Sequence, residues 1–127
     1  MNKNDFVVKM NDSIEIALQK IKLNACGIIF VSQNNKIIGC ATDGDIRSVI
    51  LNDFSIDLPI KKAINRDFVY LFQEKASREN ILKLLDSKIQ VIPILSKDFK
   101  LVSIASNQNI DWNNEATIIS KAKSPVR

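Results

Sequence analysis

"SIEIALQKIKLNACGIIFVSQNNKIIGCATDGDI", residues 13–46, and "SRENILKLLDSKIQVIPILSKDFKLVSIASNQNI", residues 77–110, stand over each other without a gap, 64 positions apart. Ser13/Ser77, Glu15/Glu79, Leu18/Leu82, Ile28/Ile92, Ser32/Ser96, Lys36/Lys100, Ala41/Ala105 and Ile46/Ile110 are identical pairs, and the apolar pattern between them matches almost throughout. Self-similarity at such a period marks a repeated supersecondary unit that buries its apolar face against a neighbour. The expectation is two stacked copies of one unit.

Each copy reads in the same order. A short apolar stretch comes first, Phe6-Val7-Val8 in copy one and Phe68 to Phe72 in copy two. A helix follows. Ile14, Ala17, Leu18 and Ile21 fall at i, i+3, i+4 and i+7, one apolar stripe, with Asp12 as the expected N-cap and Glu15 three residues on. In copy two Ser77 is placed to cap, and Ile81, Leu82 and Leu85 carry the stripe. Two strands around a polar turn come next: 27–31 and 36–41 about Ser32-Gln33-Asn34-Asn35, then 90–95 and 100–105 about Ser96-Lys97-Asp98-Phe99. They are rich in Ile and Val with little alternation, which predicts that both faces are covered. Copy one closes with a helix from Gly44 to about Asn52, whereas copy two has a short polar turn there. Leu58 to Ile64, with Pro59 in its first turn, reads as a short linking helix. The expected fold class is α+β, with tandem β-α-β-β-α repeats related by a pseudo-two-fold axis.

Composition narrows the function. The 127 residues are 46% apolar and 25% charged, an ordinary globular balance able to bury a real core. The net charge is +4, but the lysines are scattered and aromatics are only 6%, so no nucleic-acid interface is expected. With no histidine, the commonest general base and metal ligand is missing. Cys26 and Cys40 stand outside any C-x-x-C spacing and read as two reduced, buried thiols, with no metal site. No apolar run approaches a membrane span and the N-terminus lacks a signal-peptide pattern, so a cytoplasmic protein is expected.

The polar break after the second strand of copy one, "TDGDIR" at residues 42–47, has a structural reading. Thr42-x-x-Asp45 is close to a capping box, and acids in a first turn suit the helix dipole. It also carries a resemblance. A β-α-β-β-α unit repeated at about sixty residues, with a hairpin ending "IIGCATDGDIR", resembles the CBS domain pair, or Bateman module, whose pattern has a small residue (here Gly39) followed by Ser/Thr-x-x-Asp (here Thr42 and Asp45). The TDGDIR form in particular resembles that seen with sugar-phosphate isomerases, sugar nucleotidyltransferases and sugar kinases. On this resemblance residues 1–57 are a first CBS motif, 58–116 a second that includes the linking helix 58–64, and 117–127 a tail or the start of a further domain.

The resemblance implies a ligand site in copy one. Asp45 would accept the hydroxyls of a ribose, and Thr42 would donate to a phosphate or cap the helix. The amides of the helix start favour an anion, and Arg47 would neutralise phosphate. The base would lie among Val7, Val8, Ile28 and Ile29. In copy two Gly39, Thr42 and Asp45 become Ser103, Ser106 and Asn109. Ser106, Asn109 and Pro93 are the candidates there, but an amide lacks the charge-assisted strength of a carboxylate, so one ligand per chain is expected. Trp112 is expected to pack rather than stack a base. The implied ligands are adenine nucleotides (AMP, ADP or ATP) or S-adenosylmethionine, and no cofactor is required.

Catalysis by this chain is not expected. Asp43 and Asp45 diverge at i, i+2 on a helix, and three glycines leave no phosphate loop. Lys121 to Arg127, "KAKSPVR", resembles the opening strand of GHMP-type sugar kinases, which implies a fused catalytic domain. The expected role is thus a regulatory nucleotide-binding module of a sugar-activating enzyme, a homodimer through CBS–CBS contacts. The alternative is a ligand-free dimerisation and assembly module.

Overall fold

The structure, a computed structural model, describes residues 2–107. The chain divides into two compact units, Met1–Phe68 and Val69–Arg127. The first contains strand β1 (Val7–Lys9), helix α1 (Ile14–Asn24), strands β2 (Ile28–Gln33) and β3 (Lys36–Thr42), and helix α2 (Asp43–Asp53). The second contains β4 (Leu71–Phe72), α3 (Arg78–Leu84), β5 (Val91–Leu95) and β6 (Leu101–Ser106). Each unit has a three-stranded sheet whose first strand runs parallel to the second and whose second and third form an antiparallel hairpin. The expected mixed architecture is observed. The place of a closing helix in the second unit falls outside the described residues.

Strand alternation sorts the first sheet into two faces. Val8, Ile29, Val31 and Ala41 pack with Ile14, Ala17 and Ile21 of α1 and Ile46 of α2 in one core. Val7, Ile28, Phe30, Cys40 and Thr42 are in register on the opposite face. Phe30 is only 1% exposed there, and its ring lies 6.5 Å from that of Phe68. The hairpin between β2 and β3 turns on Asn34 and Asn35, at φ 55° and 66°. Two left-handed residues make the tight turn whose twist suits paired strands, and asparagine tolerates that conformation.

Two local expectations are corrected. Ser13, not Asp12, caps α1, accepting from the Ile16 N–H at 3.2 Å. The Asp12 carboxylate instead accepts from the Lys9 N–H at 2.8 Å and closes the turn after β1. The linking segment is a single 3-10 turn, Ile60–Ala63, with Pro59 at the capping position. In a helix of three residues per turn, positions i and i+3 eclipse, which lets Ile60 and Ala63 both enter the core.

The ungapped alignment of the copies also fails at one strand. Ala41 and Ala105 are equivalent, but Ile29 pairs with Ala41 whereas Ile92 pairs with Ala105. Ile92 therefore matches Ile29, 63 positions on, and the identical pair Ile28/Ile92 is not a structural pair. Ser32 lies in β2, whereas Ser96 lies in the hairpin turn, accepting from the N–H groups of Asp98 and Lys100. One residue lost before β5 is regained in the longer turn. A slip of one flips every side chain of a strand, so burial decides: Ile92 and Ile94 must face α3.

The slip places Pro93 where the first unit has Phe30. In the first unit Val7 of β1 pairs with Phe30, whereas β4 begins one residue later, at Leu71 beside Ile94. Proline has no N–H for the ladder, which accounts for the missing pair and for a first strand shorter than the expected 68–72.

Candidate functional site

The site begins where β3 runs directly into α2. Thr42 is the N-cap of α2 with extended backbone, and Asp45 is its third helical residue. The Asp45 N–H donates to Thr42 Oγ1 at 3.2 Å, and the Thr42 N–H donates to Asp45 Oδ2 at 3.0 Å. This is a complete capping box, worth about 1 kcal/mol of helix stability. The Asp43 N–H donates to the Gly27 carbonyl at 3.0 Å, tying the helix start to the start of β2. Gly27 sits at φ +73°, a conformation that suits glycine.

The cap leaves two polar groups over. Among the described residues, Asp45 Oδ1 and the Gly44 N–H take no hydrogen bond. An acceptor with full carboxylate character therefore stands beside a free first-turn amide. Such a pair can hold a hydroxyl and an anionic oxygen together. Thr42 and Asp45 are half-buried, so both remain reachable. Arg47 is exposed and in no ion pair among the described residues, which leaves its guanidinium available to a ligand.

The four apolar candidates do not share one face. Val8 and Ile29 are sealed in the core against α1. Val7 and Ile28 are half-buried on the opposite face, where Ile28 is the register partner of Thr42. Only this second pair is on the same side as the cap. Period-two alternation could have separated the pairs in advance, but unalternating Ile/Val strands conceal which face is which. In the second unit Pro93 is buried, and Ser106 ends β6 at the Thr42 position. Asn109 and Trp112 lie outside the described residues.

Cys40 adjoins the cap. Burial, and secondarily the charge of Asp45, push its thiol up to about 11. It is therefore a neutral buried group at ordinary pH. Cys26, expected to be buried, is only half-buried, because it lies in the connection between α1 and β2 and not in a strand; its thiol is also raised by what burial it has. Asn24 supports the site from behind, a residue that the sequence pattern did not single out. It is 7% exposed, donates to the carbonyls of Asp5 and Ile28 at 2.8 and 3.1 Å, and accepts from the Cys26 N–H at 2.8 Å. It joins the residues before β1, the end of α1 and the start of β2 in one network. A separate open groove of about 530 Å³ lies at the other end of the sheet, between residues 9–12 and the 32–35 turn, and contains none of the candidates. No cluster of three or more His, Cys, Asp or Glu able to hold a metal occurs among the described residues. No described helix is long and apolar enough to cross a membrane.

Residues 1–52 match the family model of the CBS domain. The whole described chain is similar in fold to several solved proteins. A putative acetoin utilization protein (AcuB) from Vibrio cholerae aligns at TM-score 0.69 and 15% identity, covering 80% of this chain and 76% of that one. The CBS domain pair of protein MJ0100, solved with 5′-methylthioadenosine and S-adenosyl-L-methionine, aligns at TM-score 0.63 and 15% identity, covering 81% and 82%. The CBS domain protein PAE2072 from Pyrobaculum aerophilum, complexed with AMP, aligns at TM-score 0.58 and 14% identity, covering 80% and 79%. The fold is that of a CBS domain pair. No curated protein sequence matches the chain.

Proposed function

We propose that the chain is a regulatory module that binds an adenine nucleotide, or a relative such as S-adenosylmethionine, at the Thr42–Asp45 junction of its first unit. The observation that carries this reading is the free Oδ1 of Asp45 beside the free Gly44 N–H, on the side of the sheet that presents Val7 and Ile28. Asp45 takes the ribose, the helix start and Arg47 take phosphate, and Val7 and Ile28 face the base. Solved relatives of the same fold carry AMP or S-adenosyl-L-methionine. The second unit has Ser106 and Asn109 where the first has Thr42 and Asp45, with Pro93 at the place of Phe30, and contributes no equal site, giving one ligand per chain. The resemblance of residues 121–127 to a sugar-kinase opening strand supports a sugar-activating enzyme as the regulated partner, with a nucleotidyltransferase as the other candidate.

A ligand at a hundredfold excess over Kd stabilises the folded state by about 2.7 kcal/mol. Melting with AMP, ADP, ATP or S-adenosylmethionine is therefore expected to shift upward, and Asp45→Ala to abolish the shift. Flat curves at millimolar ligand reject the reading. The exposed Leu23, Leu51 and Phe54 of the first unit favour a second one, a homodimeric assembly module. Light scattering that gives a dimer, together with flat ligand titrations, selects it.

A further inference from the structure

The outer edge of β3 carries two attachments in a row. Cys40 and Thr42 have the same parity, so their main-chain N–H groups point to one edge, away from β2. The Cys40 N–H donates to the Asn65 carbonyl at 2.9 Å, and the Asn65 N–H donates back to the Cys40 carbonyl at 2.7 Å. Two residues on, the Thr42 N–H donates to Asp45 Oδ2. The linking segment and the cap thus occupy successive places on one strand edge.

Gly39 makes the docking possible. A Cβ there would stand 2.6 Å from Ile64 Cγ1 and 2.7 Å from the Asn65 carbonyl oxygen. The same segment is clipped further back, with the Ile14 N–H on the Leu58 carbonyl at 2.8 Å and the Ile60 N–H on the Asp12 carbonyl at 2.7 Å. Ala41, sealed in the core, is the one residue between the two attachments.

We propose that the linking segment is a latch on β3, and that its bridge to Cys40 and the Thr42–Asp45 cap form or open as one element. Ligand capture at Asp45 and docking of residues 64–65 then favour each other. This coupling to a ligand rests on the function proposed above, but the latch itself does not. A backbone edge transmits the coupling because moving Cys40 off Asn65 also moves Thr42, two residues away, off the Asp45 carboxylate.

Amide hydrogen exchange on the full 127-residue chain tests this, with Gly39→Ala and the milder Ile64→Ala as variants. Without nucleotide, the amides of Asn65 and Thr42 are expected to exchange faster by a common factor, about tenfold for a weakening near 1.4 kcal/mol. The Ala25 N–H, bonded to the Ile21 carbonyl at the end of α1, is expected to stay unchanged. Acceleration at Asn65 with Thr42 unaffected overturns the latch, as does a uniform rise that includes Ala25 in both variants. With AMP on the unmodified chain, slowing at Asn65 together with Thr42 supports the coupling. A raised melting temperature without any change at Asn65 overturns it while leaving nucleotide binding intact. If AMP does not raise the melting temperature, the functional reading falls and the nucleotide-free comparison still decides the latch.

Discussion

Thr42 and Asp45 hold each other reciprocally, backbone to side chain in both directions, at 3.0 and 3.2 Å. The capping interaction and the proposed ligand contact use different oxygens of one carboxylate, so stability and binding can be separated by mutation. Thr42→Ala is expected to cost about 1 kcal/mol, a few degrees in melting temperature. Asp45→Asn keeps an acceptor for the Thr42 N–H but removes the charge. It is expected to retain most stability while reducing the ligand-induced shift well below that of the parent chain. Calorimetry with and without AMP reads both effects, and an unreduced shift in Asp45→Asn contradicts the role given to the charge.

Asn24 is the buried polar hinge of the first unit. Its side chain makes three hydrogen bonds to backbone groups. Asn24→Ala strips partners from buried backbone groups at a cost of about 1 kcal/mol or more each. A loss of about 3 kcal/mol is expected in urea unfolding. Asn24→Asp, whose carboxylate can donate to neither carbonyl, is expected to be nearly as damaging. A loss under about 1 kcal/mol means the network is not structural.

Cys40 gives the fold an alkaline limit. Its folded pKa is raised from 9.0 to about 11, so the native state favours the neutral thiol. The stabilisation is complete below pH 9 and declines as pH rises through 11, because the unfolded chain ionises first. Unfolding free energy is therefore expected to fall over that window, less so in Cys40→Ser. Thiol alkylation of the native protein near neutral pH is expected to be slow at Cys40. Asp45→Asn is expected to lower the thiol's pKa partway, since burial, the larger cause, remains. Fast labelling at neutral pH contradicts this assignment.

Pro93 shortens the second unit's first strand. Pro93→Val restores the N–H facing β4, and exchange protection at residue 93 is expected to appear through a new pair with Tyr70. The stability change is expected to stay within about 1 kcal/mol, because a bulkier buried side chain offsets the added bond. A residue 93 amide that exchanges freely shows that something other than the missing donor ends the strand.

Much of this was already readable in the residues. The repeat, the strand–helix order and the Thr42–Asp45 cap follow from local signals, namely apolar spacing, capping chemistry and turn residues, each acting over a few positions. The match of copy two failed at β5 because an alignment counts identities, whereas a strand obeys which face is buried. Ile92 next to Pro93 gave no sign of a slip, since both are apolar.

By itself, then, the sequence determined the kinds of element, their order and the cap. Only tertiary structure decided which of two neighbouring apolar residues is sealed in the core: Val8 rather than Val7, Ile29 rather than Ile28. It also decided that a glycine's empty space is filled by a segment 25 residues further along, Gly39 against Ile64. Such choices depend on what packs on each face, and packing partners distant in the chain leave no local trace.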